Sequence, residues 1–251
     1  MTENSIKIKS KEEIECLQRA GKILSVIVQE LKSSLRAGIT TKDIDRRVEE
    51  LIRRYKVQSA FKGYRGFPNC SCVSVNEEVV HGIPGNKIIK EGDIVSVDVG
   101  IVFENYFSDT AFTVGIGRID SVLERLLDVT EKALYKGIEQ ALVDRHLSDI
   151  SFAIQKFVEA HQLSVVRDFV GHGIGLALHE EPEVPNFGSP HCGPILKEGM
   201  VLAIEPMVNI GTFRTRICED GWTVVTEDRK PSAHFEHTIV ITKSHPEILT
   251  K

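Results

Sequence analysis

A chain of 251 residues, 41% hydrophobic and 27% charged, is long enough to bury a full core, and this composition excludes a disordered or low-complexity polypeptide. A formal net charge of −5 argues against a nucleic-acid-binding surface, so no specific nucleic-acid partner is expected, and Arg46-Arg47 and Arg53-Arg54 read as solvated helix faces. Met1 to Ser10 lacks an apolar signal core, no run approaches the roughly 18 apolar residues of a spanning helix, and five cysteines are not a disulfide framework, so a cytoplasmic protein off the membrane is expected.

Ser10 with Glu13 forms a capping box that opens a helix running to about Leu35, and Gly38 breaks the pattern. A second helix starts near Thr41 and carries Ile44, Val48, Leu51 and Ile52 at the i, i+4, i+7, i+8 spacing of one apolar stripe. Tyr64 to Asn69 is turn-rich, Cys72 to Val75 is a short strand, and His81 to Gly85 is a loop. Asp93 to Phe103 is a strong β run, and Tyr106 to Val114 returns as its hairpin partner across a turn near Glu104-Asn105.

The plan then repeats. Helices are expected from about Ser121 to Val143 and from about Ser148 to His161, the second with Ile150, Ile154, Phe157 and Val158 on one stripe, and Asp149-Ile150 corresponds to Asp43-Ile44. Strands follow around Val165 to Phe169, Met200 to Glu205, Trp222 to Thr226 and Ser232 to Thr242. The order predicts an α+β fold: a single domain over residues 1–251 in two αα-then-β halves, about 10–115 and 119–245. Antiparallel strands would meet around a central site with helices outside.

Four carboxylates and a histidine stand where unpaired charge is costly: Asp98, Asp109, Glu205, Glu236 and His172. In Val95-Ser96-Val97-Asp98-Val99-Gly100 the valines take one face and Asp98 the other, and the hairpin brings Asp109 to the same point. Glu205 is the one charge in Val201 to Val208, and Glu236 sits before Thr238-Ile239-Val240-Ile241 on an expected strand. Such a set calls for compensating cations, and oxygen ligands with one imidazole suit Mn(II), Fe(II), Co(II) or Zn(II), pointing to a two-metal hydrolytic site. His81, His172 and His179 lie in glycine-framed segments suited to a site mouth. The glycines at 171, 173 and 175 do not space as a dinucleotide fingerprint, His179-Glu180-Glu181 lacks the second histidine of HExxH, and neither a nucleophile elbow nor a P-loop occurs. Cys70-Ser71-Cys72 and His191-Cys192 lack zinc spacing and read as ordinary thiols.

The ordered series NEEVVHGIP (Asn76 to Pro84), IVSVDVG (Ile94 to Gly100), Asp109-Thr110-Ala111, GHGIGLALHEE (Gly171 to Glu181), IEPMV (Ile204 to Val208), Asp220-Gly221-Trp222-Thr223 and Glu236-His237-Thr238 resembles type I methionine aminopeptidases along nearly the whole chain. The resemblance implies the duplicated pita-bread fold and two divalent metal ions, with Asp98 on one metal, Asp109 and Glu236 bridging, and His172 and Glu205 completing the other. It implies removal of the N-terminal methionine by a metal-activated bridging hydroxide. The substrate's α-amino group would bind a metal, Glu205 would shuttle the proton, His179 would bond the scissile carbonyl and His81 would contact substrate near the cleaved bond. Phe61, Tyr64, Phe67, Cys72, His81, Leu178 and Trp222 correspond to the methionine pocket, an apolar and aromatic lining that suits a thioether. Leu178 stands where an aromatic residue is usual, Phe61 where a small one is, and Glu78 replaces an apolar residue. Residues 180–204 are too few for the helical insert of type II enzymes, so a short bacterial or organelle form is expected, monomeric and acting on nascent polypeptide N-termini near the ribosome. An X-Pro peptidase, a catalytically silent binding protein and a metal-binding protein without turnover are the alternatives.

Overall fold

In the computed structural model, which describes residues 6–251, the first helix pair follows directly from its caps. In α1 (Lys11–Ser34) the Ser10 hydroxyl accepts the Glu13 N–H while the Glu13 carboxylate accepts the Ser10 N–H, and Thr40 with Asp43 repeats the arrangement in α2 (Thr41–Arg54). The stripe Ile44, Val48, Leu51 and Ile52 is buried and shares the main core with Leu24, Ile27 and Leu31 of α1.

Next come β1 (Gln58–Ser59), a 3₁₀ turn at Tyr64–Gly66, β2 (Ser71–Val75), β3 (Glu78–Val80), β4 (Ile94–Phe103) and β5 (Tyr106–Gly115). The β4–β5 hairpin turns at Glu104 and Asn105, at φ 49° and 68°, the left-handed pair that a two-residue hairpin loop requires. Val95, Val97 and Val99 of β4 are fully buried.

The second helix pair is α3 (Ser121–Ile138) and α4 (Leu147–Ala160). α3 stops short of the expected Val143. Tighter bonds from Gln140 N–H to the Gly137 carbonyl and from Ala141 N–H to the Ile138 carbonyl turn the chain, Ala141 is buried, and Asp144 at φ 69° cannot continue a helix. In α4 the Asp149 carboxylate accepts the His146 N–H at 3.0 Å, as Asp43 accepts that of Thr40 at 2.9 Å.

The remaining strands are β6 (Ser164–Val165), β7 (Gly171–Gly173), β8 (Glu180–Val184), β9 (Val201–Ile204), β10 (Met207–Asn209), β11 (Thr215–Ile217), β12 (Val224–Thr226), β13 (Ser232–His234), β14 (His237–Val240) and β15 (Glu247–Ile248). Only Ser164–Val165 of the expected Val165 to Phe169 region is strand, and the expected run from Ser232 to Thr242 is two strands in different sheets, β13 on β10 and β14 on β9.

Two antiparallel blocks position the site: β4 lies between β2 and β5, and β9 lies between β7 and β14. The residue capping the second helix of each pair bridges to a segment upstream of the central strand, Thr40 to Ile88 and His146 to Ile195. From those bridges the sequence runs in step, Ile88-Ile89-Lys90-Glu91-Gly92 on to Asp98 and Ile195-Leu196-Lys197-Glu198-Gly199 on to Glu205. Asp98 and Glu205 therefore sit at corresponding points of the two blocks.

Candidate metal centre

Alternation along β4 points Asp98 away from the valine face, and the register Asp98↔Ala111 and Gly100↔Asp109 sets Asp109 diagonally beside it on that face. Glu205 directly follows β9, and His172 is the middle residue of β7, with Ala203 as its β9 partner. His172 thus stands on a strand. Two glycines make that strand because the backbones run close: a Cβ on Gly171 or Gly173 would collide with the carbonyl of Ala203 or Glu181. Glu236 lies in the break between β13 and β14, not on a continuous strand. The break exists because this segment bonds to β5: Glu236 N–H donates to the Ala111 carbonyl at 2.9 Å and the Thr110 hydroxyl to the Glu236 carbonyl at 2.6 Å. The Thr238 hydroxyl donates to the Asp109 carbonyl at 2.7 Å and accepts the Asp109 N–H at 3.2 Å. Threonine hydroxyls thus fix Asp109 and Glu236 against each other.

Ligand atoms of Asp109, His172 and Glu236 lie within 4.8 Å of one another, and His172 Nε2 is 3.5 Å from Glu205 Oε1. Asp109, His172 and Glu236 are buried, while the Glu205 side chain keeps 14% of its surface open to the cavity. Asp98 Oδ1, Asp109 Oδ1 and Glu236 Oε1 have no hydrogen-bond partner, a costly state for a carboxylate. Burial pushes Asp98, Glu205 and Glu236 well up, repulsion from the neighbouring carboxylates adds to it, and burial takes Asp109 to about 7. His172 places Nδ1 2.9 Å from the Gly173 carbonyl, so Nδ1–H donates there and the Nε2 lone pair faces the carboxylates. Burial lowers it to about 4, which keeps it neutral at pH 7. Orphaned carboxylate oxygens beside a neutral imidazole fit a hard or borderline divalent metal.

Above this floor is a cavity of about 160 Å³ that every site residue singled out in the sequence lines: Phe61, Tyr64, Phe67, Cys72, Leu178 and Trp222 as wall, His81 and His179 at the rim, and the carboxylates and His172 below. Phe67 and Trp222 meet edge to face with centroids 5.1 Å apart, and Asp220 fixes the Trp222 loop by accepting the N–H of Trp222 at 2.9 Å and of Thr223 at 2.8 Å. His81, at φ 58°, meets the Phe169 ring edge to face with centroids 5.5 Å apart, and burial lowers its pKa. His179 keeps an edge in solvent, its Nδ1 lies 2.8 Å from the Tyr64 hydroxyl, and its ring centroid is 4.3 Å from that of His172. Burial of the rest of the ring, with the charges of His172, Arg65 and His81, pushes it down to about 3. An open groove of about 540 Å³ adjoins the cavity, shares Arg65, His172 and His179 with it, and is edged by Lys7, Glu181 and Glu183.

Sequence reasoning did not single out His234 or Arg65. His234 is 2% exposed with its unpartnered Nε2 3.6 Å from Glu205 Oε2, and its place two residues before Glu236 was the available signal. Arg65, at the mouth, had no pattern to announce it. The paired Lys-Glu-Gly tracts were a sharper sign of repetition than the helical stripes.

Helices over antiparallel strands that converge on buried, unpaired carboxylates define a metal-dependent hydrolase class of centre. The chain matches the model of metallopeptidase family M24 over residues 15–243. It is 53% identical over 243 residues to a methionine aminopeptidase of Clostridium perfringens, spanning 97% of this chain and 98% of that protein, and 49% identical with the same coverage to methionine aminopeptidase 1 of Bacillus subtilis. The crystal structure of methionine aminopeptidase from Thermotoga maritima matches with a TM-score of 0.97 and 47% identity, covering 98% of this chain and 100% of that one. Prolidase from Pyrococcus furiosus shares the fold alone, with a TM-score of 0.79 and 23% identity over 97% of this chain and 65% of that one. The chain belongs to the M24 metallopeptidases and has their pita-bread fold. The family implies a divalent metal, and the Asp109, His172 and Glu236 cluster offers ligands for one. Among the described residues no helix is long and apolar enough to cross a membrane.

Proposed function

We propose that this chain is a methionine aminopeptidase that removes the N-terminal methionine of peptides with a small second residue. The observation that carries the reading is a small, largely apolar cavity directly above buried carboxylates whose oxygens have no hydrogen-bond partner. At about 160 Å³ it takes one side chain, well under the roughly 300–1,000 Å³ of pockets for larger ligands. Phe67, Trp222 and Cys72 give a thioether dispersion and sulfur–aromatic contact.

Two divalent ions would be held with Asp98 on one, His172 and Glu205 on the other, and Asp109 and Glu236 between them. Bound there, they supply neutralising charge, Lewis acidity and acidified water. Glu205, partly open to the cavity, would take up and return a proton. With the Tyr64 hydroxyl donating to Nδ1, the neutral His179 carries its proton on Nε2 and offers it to the scissile carbonyl. His81, held by its left-handed backbone, contacts the substrate beside the cleaved bond. The adjoining groove receives the rest of the peptide. This reading makes residues 1–251 one catalytic domain with halves at about 10–115 and 119–245, a cytoplasmic monomer acting on nascent chains near the ribosome.

The test is methionine release from Met-Ala-Ser and Met-Pro-Ala by chelator-stripped protein before and after Mn(II), Fe(II), Co(II) or Zn(II), with Met-Lys-Ser and Ala-Pro-Ala as controls. Metal-dependent release confined to small second residues is expected and ranks the metals. Cleavage of Ala-Pro-Ala would favour an X-Pro peptidase, and metal binding without release a binding protein.

A further inference from the structure

One buried ion pair is not used by the chemistry above. Lys9 and Glu180 are in direct hydrogen-bond contact with side chains only 3% and 6% exposed. Such a pair is a weak source of net stability, because desolvation offsets the attraction, so its value lies in what it holds in place. Glu180 Oε1 also accepts the N–H of Leu176 at 2.8 Å and of Ala177 at 3.2 Å, closing the turn of the 174–179 loop from beneath. Burial alone would raise this carboxyl, and Lys9 together with the Ala177 N–H outweighs burial and leaves it lowered.

The lysine is equally fastened. Its backbone N–H donates to the Gly199 carbonyl at 2.9 Å, and the Gly199 N–H donates to Ile241 at 2.9 Å, which ties the segment ahead of α1 to the sheet. A Cβ on Gly175 would collide with the Lys9 side chain, and one on Gly199 would press on Ile8 and the Lys9 backbone at 2.9 Å. Two glycines thus leave room for this one lysine. From the other side the Phe107 N–H holds the Gly175 carbonyl at 2.8 Å. The loop so held carries Leu178, in the cavity wall, and His179, bonded to Tyr64. Lys7 also approaches Glu180, at 3.7 Å, but it is 56% exposed and contributes little.

We infer that Lys9 and Glu180 are positioning residues for the reaction: the segment preceding the first helix reaches under the active-site loop and sets where Leu178 and His179 stand. The inference rests on the aminopeptidase reading for what the loop does, and it deepens that reading by making the amino-terminal arm part of the site.

The experiment compares Lys9→Met, Glu180→Gln and Glu180→Asp with the wild type as zinc-loaded protein. Thermal midpoints, kcat and KM on Met-Ala-Ser and the side-chain ¹H–¹⁵N signals of the histidines are read together. Folded variants are expected to lose about tenfold to a hundredfold in kcat/KM, in keeping with the cost of a small misplacement of reacting groups. The His179 signals should move while those of exposed His245 stay, and the Lys9→Met/Glu180→Gln double variant should be no worse than the poorer single one. Glu180→Asp keeps the charge but withdraws from the Leu176 and Ala177 N–H, so it should show the same loss even where Lys9→Met does not fold. Wild-type kcat and KM with unmoved His179 signals in the folded variants, whatever their thermal midpoints, would overturn the inference. The histidine signals test the pair even if the wild type releases no methionine, an outcome that would sink the enzyme reading alone.

Discussion

The floor of the cavity and its rim are secured by different means. Below, Asp98, Asp109 and His172 sit on paired strands, and Thr110 and Thr238 lock Asp109 against Glu236, so carboxyl groups that repel one another when ionised are held together. Above, His81 and His179 lie outside the strands, one at a left-handed residue and the other in the loop tied down by Glu180, each neutral at pH 7. The floor spends folding energy to concentrate negative charge, whereas the rim orients uncharged donors. Metal affinity is therefore expected to reside in the floor and turnover of bound substrate in the rim.

The strongest way to break that division is Asp109→Asn. If Asp109 holds metal as proposed, its loss removes Lewis acidity rather than one hydrogen-bond donor, itself worth about a hundredfold to a thousandfold, so activity should fall by about a thousandfold or more. Metal titration should show the affinity falling with it, while the metal-free variant should melt at a higher temperature because repulsion among buried carboxylates is relieved. His179→Ala should lower kcat by about a hundredfold and leave metal affinity unchanged by calorimetry. Equal loss of metal affinity in both variants would erase the distinction.

Stability against pH sharpens it. In the metal-free chain Asp109 is raised from 3.8 to about 7, so its stabilising contribution is complete below pH 3.8 and is lost as pH rises through about 7. His172, lowered from 6.5 to about 4, works oppositely: its contribution is complete above pH 6.5 and is lost as pH falls through about 4. The two slopes nearly cancel between about pH 4 and 6.5, so metal-free protein should change little there and weaken as pH rises beyond 6.5, and the gain on adding metal should be larger at pH 8 than at pH 5.5 by thermal scanning. The smallest effect is Tyr64→Phe, which removes one neutral hydrogen bond to His179 worth about 1 kcal/mol, or about fivefold in kcat, with KM and metal affinity unchanged.

The floor was also the part most legible in the sequence. A valine alternation fixes which way Asp98 points, and a capping box fixes where α1 begins, because both are local rules. Glu236 was misplaced on a strand because the β13–β14 break is caused by bonds to β5, more than a hundred residues away. His172 was read as glycine-framed and given no strand because glycines are poor strand formers, and only close approach to Ala203 and Glu181 makes them favourable here. The rim histidines were marked by their glycine-framed segments, but their roles came only from family resemblance, and nothing local connects Tyr64 with His179, or Lys9 with Glu180.

The most direct measurement is a calorimetric titration of chelator-stripped protein with Co(II) at pH 7, run in two buffers of different ionisation enthalpy and repeated on Asp109→Asn. Two ions per chain are expected to bind with proton release, since carboxyls held protonated by burial must ionise to bind, and tight binding should be lost in the variant. Binding no tighter than about 1 mM, or identical binding in wild type and variant, would contradict it.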